Sequence, residues 1–86
     1  MDCVDFCKAL ADDTRQKILV MLLDGEKCVS DIAEAFDTSQ PTISHHLKIL
    51  RERSLVKTER DGQQVVYSLA DARITQALDL MREMML

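Results

Sequence analysis

The chain is poor in the residues that break or brace a small fold: 86 residues hold two glycines, one proline, no tryptophan and 3% aromatics. So few turn-makers argue against a sandwich of many tight turns and for a largely helical chain. So few aromatics leave no stacking platform for single-stranded nucleic acid. No apolar run approaches the roughly 18 residues needed to span a membrane. The acidic start Met1-Asp2-Cys3-Val4-Asp5 lacks the basic-then-apolar order of a signal peptide. Three cysteines, an odd number, suit a secreted disulfide framework badly. These absences lead us to expect a cytoplasmic protein with reduced thiols and no membrane partner. What is present is 47% hydrophobic, enough for a core. The length reads as one domain over residues 1–86, small enough that the core of a lone protomer is marginal.

The net charge of −4 argues, taken whole, against a nucleic-acid partner. Its distribution argues the other way. Residues 39–60 hold Lys48, Arg51, Arg53, Lys57 and Arg60 against Glu52 and Glu59, a surplus of three positive charges. The remaining residues carry six basic side chains against thirteen acidic, a balance of −7. A basic segment in an acidic body is an electrostatic footprint with a direction.

Apolar periodicity places the helices. A first runs over roughly 2–12, with Val4, Cys7, Leu10 and Ala11 on one face. Asp13 reads as the N-cap of a second, with Gln16 completing a capping-box-like pair; Ile18, Leu19, Leu22 and Leu23 form its stripe, and Asp24-Gly25 ends it. A third spans about 29–36 with Ile32, Ala33 and Phe36 inward. Ser39 caps a fourth, which tolerates Pro41 in its first turn and turns Ile43, Leu47 and Leu50 inward. Two helices joined by so short a break, the second opened by a Ser cap, form a helix-turn-helix.

The period then becomes strand-like. Val56–Arg60 and Gln63–Leu69 flank Asp61-Gly62, a strong hairpin signal. A last helix over about 71–85 carries Ile74, Ala77, Leu78, Met81, Met84 and Met85, widened by Leu80 and Leu86. The expected fold is mainly α with a small β-hairpin, a winged helix-turn-helix in the order α-α-α-α-β-β-α.

At 100° per residue, Ser44, His45 and Lys48 share one face of the fourth helix, and Ile43, His46, Leu47 and Leu50 the opposite one. Gln40 lies at the N-terminal corner and Thr42 toward the other edge. A short, polar, donor-rich face suits a major groove: Gln pairs with adenine edges, Ser takes either role and Lys48 neutralises phosphate. Arg60, beside the wing turn, is placed for a phosphate or the minor groove. His46, on the inner side, reads as a hydrogen-bonded structural histidine. The expected partner is double-stranded DNA.

At these residues the chain resembles the ArsR/SmtB family of prokaryotic transcriptional repressors. The resemblance lies in Ala9-Leu10-Ala11-Asp12-Asp13-Thr14-Arg15-Gln16-Lys17-Ile18-Leu19 and in Ser39-Gln40-Pro41-Thr42-Ile43-Ser44-His45-His46-Leu47-Lys48-Ile49-Leu50-Arg51. It continues through Leu55-Val56 to the Asp61-Gly62 wing and Val66-Tyr67-Ser68-Leu69, so that it spans roughly residues 7–69. Ser54 stands where the family usually has glycine. The resemblance implies a homodimeric repressor that leaves its operator when an inducer, often a metal or metalloid, binds. It also implies that Gln40, Ser44 and His45 meet base edges.

The cysteines are the candidate input. Cys3 and Cys7, four apart, share a helix face and can share a soft ion, and Cys28 opens the third helix. The family's arsenic sensors often carry Cys-Val-Cys where this chain has Cys28-Val29-Ser30. Its carboxylate–histidine zinc site on the last helix is also incomplete, since only Asp71 is kept and Arg73 and Met84 replace histidines. What remains resembles members in which N-terminal cysteines of one subunit join a third-helix cysteine of the other. Three thiolates suit As(III), Sb(III) or Cd(II) better than tetrahedral zinc. Thiol oxidation and no cysteine input at all stay open beside that reading.

The last helix carries more apolar surface than so small a core needs. Val4, Leu10, Ile74, Leu78, Met81 and Met85 are therefore expected at a two-fold dimer interface that sets two recognition helices one DNA turn apart. The alternative is that this stripe packs within the protomer. Catalysis is not expected: no orienting third group accompanies Cys28 and a histidine, and no Gly-rich phosphate loop exists. A winged helix that binds protein instead of DNA is the rival class.

Overall fold

The computed structural model describes residues 3–84. In chain order they form α1 (Cys3–Leu10), α2 (Asp13–Leu22), β1 (Lys27–Cys28), α3 (Val29–Glu34), α4 (Gln40–Glu52), β2 (Val56–Asp61), β3 (Gln64–Leu69) and α5 (Ala72–Met84). The expected helices and hairpin are present. So is a strand that sequence reasoning missed: Lys27–Cys28 pairs antiparallel with β3, Lys27 opposite Tyr67 and Cys28 opposite Val66, giving a sheet of order β1-β3-β2. Two residues carry no readable alternation, so only the free edge of β3 reveals the strand.

The core is aliphatic. Ile18, Leu19 and Leu22 of α2, Ile32 of α3, and Ile43, Leu47 and Leu50 of α4 close on Leu55, Val56, Ile74 and Leu78. Burial of one such side chain contributes about 1.5–3 kcal/mol. The wing closes at Gly62, whose φ of +66° suits glycine at the first central position of a primed hairpin turn. Asp61 lies opposite Gln64 as the last pair of the ladder, so the two-residue loop is Gly62-Gln63 and not Asp61-Gly62.

Several expectations are corrected. The N-cap of α2 is Asp12, whose Oδ2 accepts the Arg15 N–H at 3.0 Å, not Asp13. Of two adjacent acids, the one with extended backbone takes the role, because only there does the carboxylate reach the N–H three residues on. In α1 the packed face is Phe6, Ala9 and Leu10, while Val4 and Cys7 face solvent, as does Ala11 just beyond the helix. A one-face stripe in an eight-residue helix is ambiguous by one turn step, and the aromatic side chain decided it. Of the expected interface residues, Leu10, Ile74 and Leu78 lie in the protomer's own core, and Met81 packs partly against it. So small a core uses the last helix as a wall. Met85 lies outside the described residues. Among the described residues the large apolar side chains left exposed are Val4 (61%), Leu80 (62%) and Met84 (83%).

Candidate nucleic-acid interface

The helix that would enter a groove is built by local rules. Ser39 adopts extended backbone, and its Oγ accepts the Thr42 N–H at 3.3 Å; the Ser39 and Thr42 hydroxyls lie 2.9 Å apart. Thr42 is thus partly committed to the cap. Pro41 sits where its missing N–H costs nothing. Ile43, Leu47 and Leu50 are fully buried, which turns Gln40, Ser44, His45, Lys48 and Arg51 to solvent. Helix α3 packs behind α4 and the β2–β3 hairpin flanks it. Sequence reasoning left out Arg51, although it follows Ser44 by seven residues and Lys48 by three, the spacing of one helical face.

Charge on this face is available. Among the described residues Lys48, Arg51, Lys57 and Arg60 make no ion pair. Every arginine other than Arg51 and Arg60 is engaged: Arg15 with backbone carbonyls, Arg53 with Asp5, Arg73 with Asp71 and Arg82 with Asp79. A cation without an internal partner costs least to move onto a phosphate.

The segment Asp12–Gln16 is a corner between helices. Asp12 caps α2, while Arg15 reaches back to α1, its Nε donating to the Ala9 carbonyl at 3.0 Å and Nη2 to that of Lys8 at 3.3 Å. The Gln16 amide donates to the Leu10 carbonyl. The Arg15 N–H lowers the Asp12 pKa most, helped by the charges of His46 and Arg15 and opposed by desolvation. His46 of α4 meets this corner. Its side chain is 16% exposed, and Nδ1 lies 3.8 Å from Asp12 Oδ2 with no hydrogen-bond partner. The expected structural histidine is therefore confirmed in place but not in bonding: the separation is too long for a hydrogen bond.

At its other end α4 stops in a Schellman motif. The Leu55 N–H donates to the Leu50 carbonyl at 2.9 Å and the Ser54 N–H to that of Arg51 at 3.0 Å. Ser54 takes φ +62°, the left-handed conformation that glycine adopts without strain. The family's usual glycine at this position thus has a backbone reason, and serine keeps the same turn at some cost.

The three thiols are not brought together. Cys3 and Cys7 are exposed on α1, and hydrogen bonding to Cys3, then its charge, raises the Cys7 pKa, as neighbouring sulfurs on one face require. Cys28 is buried in β1, its Sγ 3.2 Å from Ser30 Oγ. Among the described residues no three His, Cys, Asp or Glu side chains form a group that could hold a metal ion. One protomer offers two thiols side by side on α1, and the third stands apart.

A capped helix presenting short polar side chains and free cations, backed by a second helix and flanked by a hairpin, defines a winged helix-turn-helix protein. The family model described as "Bacterial regulatory protein, arsR family" matches residues 12–58, and this chain belongs to that family, which consists of transcriptional regulators. It is 42% identical over 80 residues to a Staphylococcus aureus cadmium resistance transcriptional regulatory protein CadC homolog, covering 92% of this chain and 66% of the relative. It is 48% identical over 62 residues to the transcriptional repressor SdpR of Bacillus subtilis, covering 72% of this chain and 69% of the relative. The chain thus spans about two thirds of the length of these relatives. Its fold matches the homodimeric winged helix-turn-helix DNA-binding domain Mb0332 of Mycobacterium bovis with a TM-score of 0.87 and 31% identity, over 94% of this chain and 75% of that one.

Proposed function

We propose that this protein is a dimeric repressor that reads double-stranded operator DNA with α4. In this reading Gln40, Ser44 and His45 meet base edges and Thr42 borders them, while Lys48 and Arg60 neutralise phosphates. The observation that carries it is the exposed α4 face, on which the polar side chains stand beside cations that have no internal partner. The Mb0332 domain, described as homodimeric and DNA-binding, supports the dimer. Among the described residues Val4, Leu80 and Met84 are the large apolar side chains exposed to make one.

The test is titration of the 86-residue chain with a labelled DNA duplex that it has enriched from a random-sequence pool, repeated across salt. Phosphate contacts make log affinity fall linearly with log salt. Enrichment of no duplex, or a flat salt response, favours the rival in which the winged helix binds protein.

Release from the operator is assigned in this proposal to a thiophilic metalloid or metal, As(III), Sb(III) or Cd(II), held by Cys3 and Cys7 of one protomer with Cys28 of another. Support comes from the paired sulfurs on α1 and from the CadC homolog's description as a cadmium resistance regulator. Because thiolates are the ligands and the Cys7 pKa is raised, loading releases protons and strengthens as pH rises. Ultraviolet thiolate absorption followed together with DNA release tests it. Binding without release, release by an oxidant alone, or an unchanged response of Cys28→Ser rejects the three-thiolate input.

A further inference from the structure

The proposed DNA-reading face ends at a seam to which α1 is tied. Arg53 is the C-cap of α4, and its backbone N–H donates to the Ile49 carbonyl at 3.1 Å. Its Nη1 donates to Oδ1 of Asp5 on α1 at 3.1 Å, across 48 residues of sequence. The next residue is Ser54, held at positive φ, and after it Leu55 locks onto Leu50 while its own carbonyl accepts the Ala70 N–H at 3.0 Å. Within three residues the chain stops reading as recognition helix and becomes the strand leading to the wing. The turn between helix and wing lies there.

Arg53 differs from its neighbours in this segment. Lys48, Arg51, Lys57 and Arg60 are free, whereas Arg53 is half-buried and committed to α1. An open cleft of about 470 Å³ has Ser54 on one wall and Cys3 and Phe6 of α1 on another, so the same turn of α1 that carries Asp5 also borders the seam. Asp5 lies about 200° around the helix from Cys3 and Cys7. The helix therefore offers its carboxylate to the recognition helix, with Cys3 at the cleft and Cys7 exposed to solvent.

We infer that Asp5 and Arg53 are positioning residues for DNA recognition: their ion pair holds the seam between α4 and the wing at the angle at which both meet one duplex. The inference rests on the DNA-binding reading. It does not depend on any metal, although it makes α1 a helix whose displacement reaches the recognition helix.

Two other roles for Arg53 give different results. A direct phosphate contact predicts that removing Asp5 frees Arg53 and tightens binding, and that removing Arg53 shallows the salt slope by about 0.9. A purely structural role predicts lower thermal stability with unchanged affinity in the folded protein.

The experiment is a double-mutant cycle on the 86-residue chain, titrated against the duplex that the parent protein enriches, at a temperature where circular dichroism shows every variant folded. Asp5→Asn and Arg53→Gln each weaken binding about two- to fivefold, as expected for a half-exposed pair. The double variant is no weaker than the worse single one, the salt slope keeps the parent's value, and Arg53→Lys recovers most of the loss. Unchanged or tighter binding by Asp5→Asn, losses that multiply in the double variant, or a shallower slope in Arg53→Gln overturns the inference while leaving DNA binding intact. A parent protein that enriches no duplex removes the DNA reading and this inference with it.

Discussion

Most cations of the recognition helix and wing differ from most of those in the rest of the molecule in one respect. On α4, β2 and the wing turn, Lys48, Arg51, Lys57 and Arg60 have no internal partner. In the body, Arg15 caps a helix end, and Lys17, Arg73 and Arg82 pair with Asp13, Asp71 and Asp79, while Lys8 and Lys27 make no ion pair among the described residues. A chain of net charge −4 can thus present unpaired cations on one face, because Lys48, Arg51, Lys57 and Arg60 have no acid paired with them while Lys17, Arg73 and Arg82 do. Net charge describes solubility; pairing describes what a partner meets.

The comparison breaks most sharply if charge is removed from each region in turn. Neutralising Lys48, Arg51 and Arg60 to Gln should reduce the salt slope of duplex binding by about 2.7 per protomer, since each phosphate left without its cation accounts for about 0.9. Neutralising Lys17, Arg73 and Arg82 should leave it unchanged. Equal slopes for the two triple variants would erase the distinction between the regions.

Next in size is Arg15→Ala, which strips two hydrogen bonds from the C-terminal carbonyls of α1. A loss of about 2 kcal/mol in urea unfolding is expected, since bonds from a charged donor are worth more than neutral ones. Ser54→Gly should act in the opposite direction, adding roughly 1 kcal/mol by relieving the left-handed serine. A melting temperature that does not rise would mean that serine gains a compensating interaction at the seam.

The Asp12 carboxylate gives a pH signature. Its folded pKa is lowered, first by the Arg15 N–H, so it contributes stability that is present above the unfolded aspartate value of about 3.9 and lost as pH falls through the lower folded value. Asp12→Asn keeps a capping side chain but not the charge, so parent and variant should converge in stability on acidification. The smallest effect belongs to Arg82→Ala, whose half-exposed pair with Asp79 should change unfolding free energy by less than about 0.5 kcal/mol.

How far the molecule was legible varied with the range of the interaction. Ser39 and Pro41 marked the start of α4 because a cap joins residues three apart, and the stripe of Ile43, Leu47 and Leu50 marked its inner face. The polar face followed as the complement. Arg51 was legible by the same spacing and was overlooked. The tie of Arg53 to Asp5, the meeting of His46 with Asp12 and the pairing of β1 with β3 had no local signal, since each joins elements distant along the chain.

By itself, then, the sequence determined the order of helices and hairpin, the capped recognition helix and the concentration of positive charge in residues 39–60. Each follows from propensity, periodicity or composition within a few turns of chain. Tertiary structure decided which stripe of α1 packs, that Leu10, Ile74 and Leu78 serve the protomer's own core, and that Cys28 stands apart from Cys3 and Cys7. It also decided which cations remain free. These outcomes depend on which side chains from remote segments compete for the same space or the same carboxylate, and that competition is settled only when the elements pack.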